Sequence, residues 1–184
     1  QPQASIFYIA YEKLDEPDKS RRPLMFSFNG GPGSSSVWLH LGVLGPRRVR
    51  VDDEGKAGPP PYGLVENEYS LLPATDLVFI DPVSTGYSRP APGEDAKQFH
   101  GLEQDIESVG EFIRLYVTRY KRWSSPKFLI GESYGTTRAA GLAGYLQTKH
   151  GMYLNGLLLI SSVLNFQTLE FESGNDLPYI LFLP

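Results

Sequence analysis

The sequence predicts an α/β fold built on a mainly parallel sheet. Three observations carry that prediction. Short continuous apolar runs recur along the chain, two longer stretches have helical periodicity, and the two kinds of segment alternate. The 184 residues amount to about one domain, enough chain to bury a real core.

Taken in order, Ser5–Tyr11 (SIFYIAY) reads as a strand in need of a partner. Leu24–Phe28 (LMFSF) is apolar throughout, as suits a strand covered on both faces. Serines then cap a short helix over about Ser36–Leu41. Arg47–Val51 (RRVRV) alternates and is a further strand. Asp52–Pro61 (DDEGKAGPPP) ends in three prolines, which excludes helix interior and central strand and makes it a surface loop between two strands. Leu77–Ile80 (LVFI) is the next buried strand. From Phe99 to Trp123 the residues Leu102, Ile106, Val109, Ile113, Tyr116 and Tyr120 recur at steps of three and four, one face of a long amphipathic helix. Phe128–Ile130 is a strand, Tyr134–His150 a helix rich in Ala and Leu, and Leu157–Ile160 (LLLI) a last strand.

Composition removes several function classes. The net charge of -4 lacks the basic excess of a general nucleic-acid binder. No run of 18 apolar residues is present to span a membrane, and no signal-peptide pattern opens the chain. Cysteine is absent, which excludes disulfides, thiolate catalysis and Cys-ligated zinc. The three histidines, His40, His100 and His150, have no helical metal-site spacing, so a metal is not expected, and no organic cofactor is implied by the rest of the sequence.

Two motifs carry chemistry. Gly131-Glu132-Ser133-Tyr134-Gly135 fits G-x-S-x-G. Three fixed residues match by chance roughly once in a few thousand positions, so context decides. An apolar run precedes the motif and a helical pattern follows it, as a nucleophile elbow requires. The helix N-terminus there offers N–H groups to a developing oxyanion. Asn29-Gly30-Gly31-Pro32-Gly33-Ser34-Ser35-Ser36 directly follows the strand at Leu24–Phe28. It lacks the Lys of a phosphate loop, and its glycines suit close backbone approach to an oxyanion or carboxylate. Taken singly, either motif is also compatible with a structural Gly/Ser turn.

FNGGPGSSS, DPVSTGYS and GESYGTTRAAGLAGYL, in that order, resemble the serine carboxypeptidases, peptidase family S10 of the α/β-hydrolase fold. The resemblance runs from about Pro23 to the end. It implies Ser133 as the nucleophile, with Gly31 and Tyr134 as the backbone donors of the oxyanion hole. It assigns Asn29, Gly30 and Glu132 to the grip on a peptide's C-terminal carboxylate. Glu132 can join that grip only by sharing a proton, since two bare carboxylates repel. Peptide binding is therefore expected to weaken as pH rises and that proton is lost; a flat KM across the acid range would count against it. Two positions depart from many members: Phe28 replaces Trp before the Asn, and Ser34 replaces Cys after the GGPG. Ser84 stands where Gly is common, in a loop with Thr85, Gly86 and Tyr87 expected to line the cleft. The Cys-free character is similar to bacterial-type members.

The resemblance also implies an Asp and a His after the nucleophile. Only His150 follows Ser133, and it sits at the far end of the helix, roughly 25 Å away at 1.5 Å per residue. Glu170, Glu172 and Asp176 have no histidine to orient. His40 and His100 are expected to be packing or surface residues, and His150 a surface residue. Residues 1–184 are thus expected to be the N-terminal part of a single α/β-hydrolase catalytic domain. A second polypeptide or a further segment would supply Asp and His, an expectation that the apolar ending LPYILFLP supports. The expected activity is release of C-terminal amino acids from peptides bearing a free carboxylate, in a secreted or periplasmic protein. An acyltransferase, a non-catalytic peptide-binding fragment and an ester-only hydrolase are the alternatives.

Overall fold

The computed structural model describes residues 2–182. The strands are β1 (Ala4–Ser5), β2 (Tyr8–Tyr11), β3 (Leu24–Phe28), β4 (Arg47–Val49), β5 (Leu64–Glu66), β6 (Asp76–Ile80), β7 (Arg89–Pro90), β8 (Lys127–Glu132) and β9 (Gly156–Ile160). The helices are α1 (Val37–Leu39), α2 (Leu102–Arg119), α3 (Tyr134–His150) and α4 (Leu177–Leu181). Five strands form the main sheet in the order β2-β6-β3-β8-β9. β6, β3, β8 and β9 run parallel, and β2 is antiparallel to β6.

The apolar runs are continuous because both faces of the sheet are covered. Side chains alternate between the faces. Leu24, Phe26, Phe28, Val78, Ile80 and Leu129 meet Val109, Ile113 and Val117 of α2 and Leu142 and Leu146 of α3. Met25, Leu77, Phe79 and Ile130 face the other way, onto Leu39 and Leu44. β9 differs: Leu157, Leu158 and Leu159 are each more than a third exposed, because this strand lies at the sheet edge.

At the N-terminal end of β6, Asp76 is clamped between two arginines. Arg22 Nε donates to Oδ1 at 2.6 Å and Arg122 Nη1 to Oδ2 at 2.7 Å. Arg122 Nη2 also donates to the Arg22 carbonyl at 3.0 Å. This cluster ties the start of the central strands to the chain leaving α2, at the end of the sheet opposite the two motifs.

Several elements differ from the sequence reading. The strand expected at Ser5–Tyr11 is split, because Phe7 turns its backbone toward another loop. Its N–H donates to Ser88 Oγ at 2.8 Å, and its carbonyl accepts from the Asp81 N–H at 3.0 Å. The strand does find partners, β7 for its first part and β6 for its second. The long helix is shorter than the span from Phe99 to Trp123. Phe99 belongs to a preceding 3-10 turn, Gly101 is the N-cap, and Lys121 at φ 56° turns the chain away. The short helix at Ser36 is one α turn continued by a π-helical turn over His40–Leu44. β5, β7 and α4 have no counterpart in the sequence reading; β5 pairs with β4 across the Asp52–Pro61 loop. Of the apolar ending, Tyr179, Ile180, Leu181 and Phe182 are exposed, and residues 183 and 184 lie outside the described residues.

Candidate active site

The two motifs meet because their strands are neighbours. Phe28 of β3 pairs with Gly131 of β8, so both chains leave the sheet side by side at its C-terminal end. Ser133 turns the chain directly from β8 into α3 with φ 57° and ψ -126°, a conformation rare for a residue with a Cβ. Its N–H donates to the Ile160 carbonyl at 3.0 Å, which holds the turn to β9. Its carbonyl accepts from the Thr136 N–H at 2.9 Å and from Thr136 Oγ1 at 2.7 Å. Thr136 Oγ1 in turn accepts from the Val163 N–H at 2.8 Å, so the chain leaving β9 braces the first turn of α3.

Small residues make this turn possible. A Cβ on Gly131 would lie 2.1 Å from the Gly135 carbonyl oxygen. On Gly30 it would lie 2.5 Å from the Tyr134 nitrogen and 2.7 Å from the Glu132 oxygen. The Gly-rich loop thus rests directly on the backbone of the elbow. Gly31 follows at φ 108°, and the Ser34 N–H closes the loop onto the Gly30 carbonyl at 3.0 Å. The structure brings together all six residues singled out in the sequence: Asn29, Gly30, Gly31, Glu132, Ser133 and Tyr134.

Asn29 is buried and held at both ends of its amide. Its Oδ1 accepts from the Leu39 N–H at 3.0 Å, and its Nδ2 donates to Glu132 Oε2 at 3.0 Å. Glu132 and Ser133 are half-buried. The 81–88 loop is anchored beside them through Asp81. The Asp81 carboxylate accepts from the Ser36 N–H at 2.8 Å, and the Asp81 carbonyl accepts from Ser88 Oγ at 2.6 Å. Ser84 in this loop has φ 70° and its Oγ lies 3.0 Å from His100 Nε2. A cleft of about 360 Å³ lies between Pro32, Ser84, Thr85, His100, Tyr134 and Arg138.

Two site residues escaped the sequence reading. Arg138 and Asp105 form a buried ion pair under the site, with Arg138 Nε donating to Asp105 Oδ2 at 2.8 Å. The available signal was a lone Arg one turn after Tyr134 on the apolar side of a helix rich in small residues. Burial, reinforced by the Asp105 charge and opposed by Arg138, pushes the Tyr134 phenol up to about 12. The phenol is therefore neutral at any working pH.

Two of the three histidine rings, those of His40 and His150, are engaged away from the site, while His100 lines the cleft against Ser84. His40 is buried, with Nε2 2.8 Å from the Tyr11 hydroxyl and its ring 4.7 Å from that of Phe79. Burial lowers its pKa, with the Asp81 charge opposing. It is a packing residue, as expected. His150 is not a free surface residue: its side chain is 16% exposed, stacked edge-on against Tyr145 and 3.9 Å from Glu111. Among the described residues no group of three metal-ligating side chains comes together, and no helix is long and apolar enough to cross a membrane.

A mainly parallel sheet with flanking helices and a strained Ser between its strand and its helix defines an α/β-hydrolase. Comparison with known proteins narrows this. The family model for serine carboxypeptidases, peptidase family S10, matches residues 1–170, and the chain belongs to that family. It is 32% identical over 133 residues to serine carboxypeptidase-like 29 of Arabidopsis thaliana, covering 71% of this chain and 26% of that protein. It is 30% identical over 131 residues to carboxypeptidase Y homolog A of Paracoccidioides lutzii, covering 70% of this chain and 21% of that protein. Among solved structures it is similar to Kex1Δp, a prohormone-processing carboxypeptidase from Saccharomyces cerevisiae. The TM-score is 0.70 at 25% identity, covering 97% of this chain and 41% of that one. The chain thus spans well under half the length of these relatives.

Proposed function

We propose that this chain carries the nucleophile half of a serine carboxypeptidase active site. One observation carries the proposal: the glycine loop after β3 rests on the backbone of the elbow after β8, so that Gly30, just before Gly31, lies against the backbone nitrogen of Tyr134, just after the strained Ser133. Ser133 Oγ attacks the last peptide carbonyl and gives its proton to a histidine base. The Gly31 and Tyr134 N–H groups receive the oxyanion. The tetrahedral intermediate collapses, the protonated amine of the C-terminal residue departs, and water then hydrolyses the acyl-enzyme. Asn29 Nδ2 and the Gly30 N–H hold the substrate's terminal carboxylate, which meets Glu132 across a shared proton.

The catalytic Asp and His come from polypeptide beyond these 184 residues. That accords with the engagement of His40 and His150 away from the site, with the hydrogen bond that ties His100 to Ser84, and with the short span relative to relatives. Residues 1–184 are then the N-terminal part of one catalytic domain, and the exposed leucines of β9 are the edge from which its sheet continues. By the family resemblance the protein works outside the cytoplasm, which cell fractionation checks. Replacing Ser133 by Ala in the full-length protein is expected to abolish both fluorophosphonate labelling and release of the last residue from a blocked dipeptide. Retained turnover would overturn the assignment. The carboxypeptidase-like relatives leave open transfer of the acyl group to an alcohol instead of water, and product analysis with added alcohol separates the two outcomes.

A further inference from the structure

Arg138 lies one helical turn beyond Tyr134 on α3, and its side chain is 1% exposed. A buried guanidinium is tolerable only where fixed partners take its donors. Nε donates to Asp105 Oδ2 on α2 at 2.8 Å, and Nη1 donates to the Asn29 carbonyl at 2.8 Å. The guanidinium carbon also sits 5.3 Å from the centre of the Phe28 ring and 5.2 Å from that of Tyr134. One side chain therefore binds the end of β3 to the start of α3.

The consequence falls on Asn29. Arg138 pins its carbonyl and the Leu39 N–H pins its Oδ1. That leaves only the Nδ2 donors of the side chain, and one of them meets Glu132. Asp105 holds the guanidinium in the orientation that reaches the Asn29 carbonyl. We propose that Arg138, oriented by Asp105, is the positioning residue for carboxylate recognition, aiming Asn29 Nδ2 at the terminal carboxylate of the peptide. This inference rests on the carboxypeptidase reading. Arg138 touches no reacting atom. Its contribution is a rigid planar fork that spans two acceptors while stacking on two rings, which a lysine ammonium does not reproduce.

The test compares a blocked dipeptide with its C-terminal amide in the full-length protein. Arg138→Lys is expected to raise KM for the free acid about tenfold, the loss of one charge-assisted hydrogen bond. kcat should stay within about threefold, because Ser133 and the oxyanion donors are in place. The amide should be barely affected, so preference for the free acid falls by about the same factor of ten. A second variant, Arg138→Met with Asp105→Leu, removes both buried charges together and avoids stranding either one. It should keep the parent's melting temperature and still lose the preference. Equal losses on acid and amide, an unchanged preference in either folded variant, or unfolding of both variants would overturn the inference. If the parent itself shows no preference for the free acid, the carboxypeptidase reading falls and takes this one with it. A parent with the preference and variants that retain it overturn this inference alone.

Discussion

A single methyl group at Gly30 tests the geometry on which the site depends. An ideal Cβ there meets Tyr134 N at 2.5 Å, Glu132 O at 2.7 Å and Gly135 N at 2.7 Å. All three are backbone atoms of the elbow, so no flexible side chain can give way. Ordinary contact begins at 3.4 Å, and the Gly-rich loop must therefore lift off the elbow by about 0.9 Å. The Gly31 and Tyr134 N–H groups come from opposite sides of that seam. Donors act on an oxyanion at about 2.7–3.1 Å, so such an opening takes one of them out of reach. Loss of one donor costs about 10²–10³ in kcat, and overpacking costs about 1–3 kcal/mol in stability. Gly30→Ala in the full-length protein should fold, with a melting temperature a few degrees lower, and should lose kcat by that factor. The assay is steady-state hydrolysis of a blocked dipeptide beside thermal unfolding. A folded variant with kcat within threefold of the parent would refute the argument that the two N–H groups act together.

The buried cluster at the other end of the sheet makes separate predictions. Asp76→Asn leaves Arg22 and Arg122 without their counter-charge and should destabilise the fold by about 3–5 kcal/mol in urea titrations. The pH dependence follows from the same carboxylate. Burial pushes Asp76 up, but the hydrogen bonds from Arg22 and Arg122 outweigh it and hold the native pKa below the ordinary value. The unfolded chain therefore takes up this proton first as pH falls. The stabilisation is full above the unfolded value of about 3.9 and is lost as pH drops through the lower native one. Urea midpoints measured from about pH 6 down to about pH 2.5 should fall on that limb, and Asp76→Asn should flatten it.

What the sequence made legible follows one physical distinction. β3, β6, β8, α3 and the site motifs are encoded locally: apolar runs, glycines and a Ser at fixed spacing specify them without help from distant residues. β5, β7 and the break at Phe7 are set by pairing across the fold. The Phe7 backbone bends because Ser88, far along the chain, offers its hydroxyl. Nothing in SIFYIAY announces that partner. The ion pair under the site escaped for the same reason. Asp105 looks like an ordinary first-turn acid of a helix, and Arg138 becomes significant only when α2 is laid against α3. The residues proposed to grip a carboxylate were legible because a family motif names them. Their support was not, because it is assembled from three elements distant in sequence.

The backbone at Ser133 bears on the choice between catalysis and simple binding. A non-glycine residue at φ 57° and ψ -126° costs on the order of 1–3 kcal/mol, and it persists only where the surroundings over-determine it. Here they do: the Ile160 carbonyl, Thr136, and the close approach of Gly30, Gly131 and Gly135 all fix the turn. A peptide-binding surface has no use for that strain, since Asn29, the Gly30 N–H and Glu132 could hold a carboxylate on a relaxed turn equally well. Replacing Ser133 by Gly would relieve the strain and leave all three of those groups in place. In the proposed reading the strain serves to lift the Ser133 hydroxyl clear of the sheet. Its retention in this chain therefore favours acyl-transfer chemistry at Ser133 over passive recognition of peptide termini.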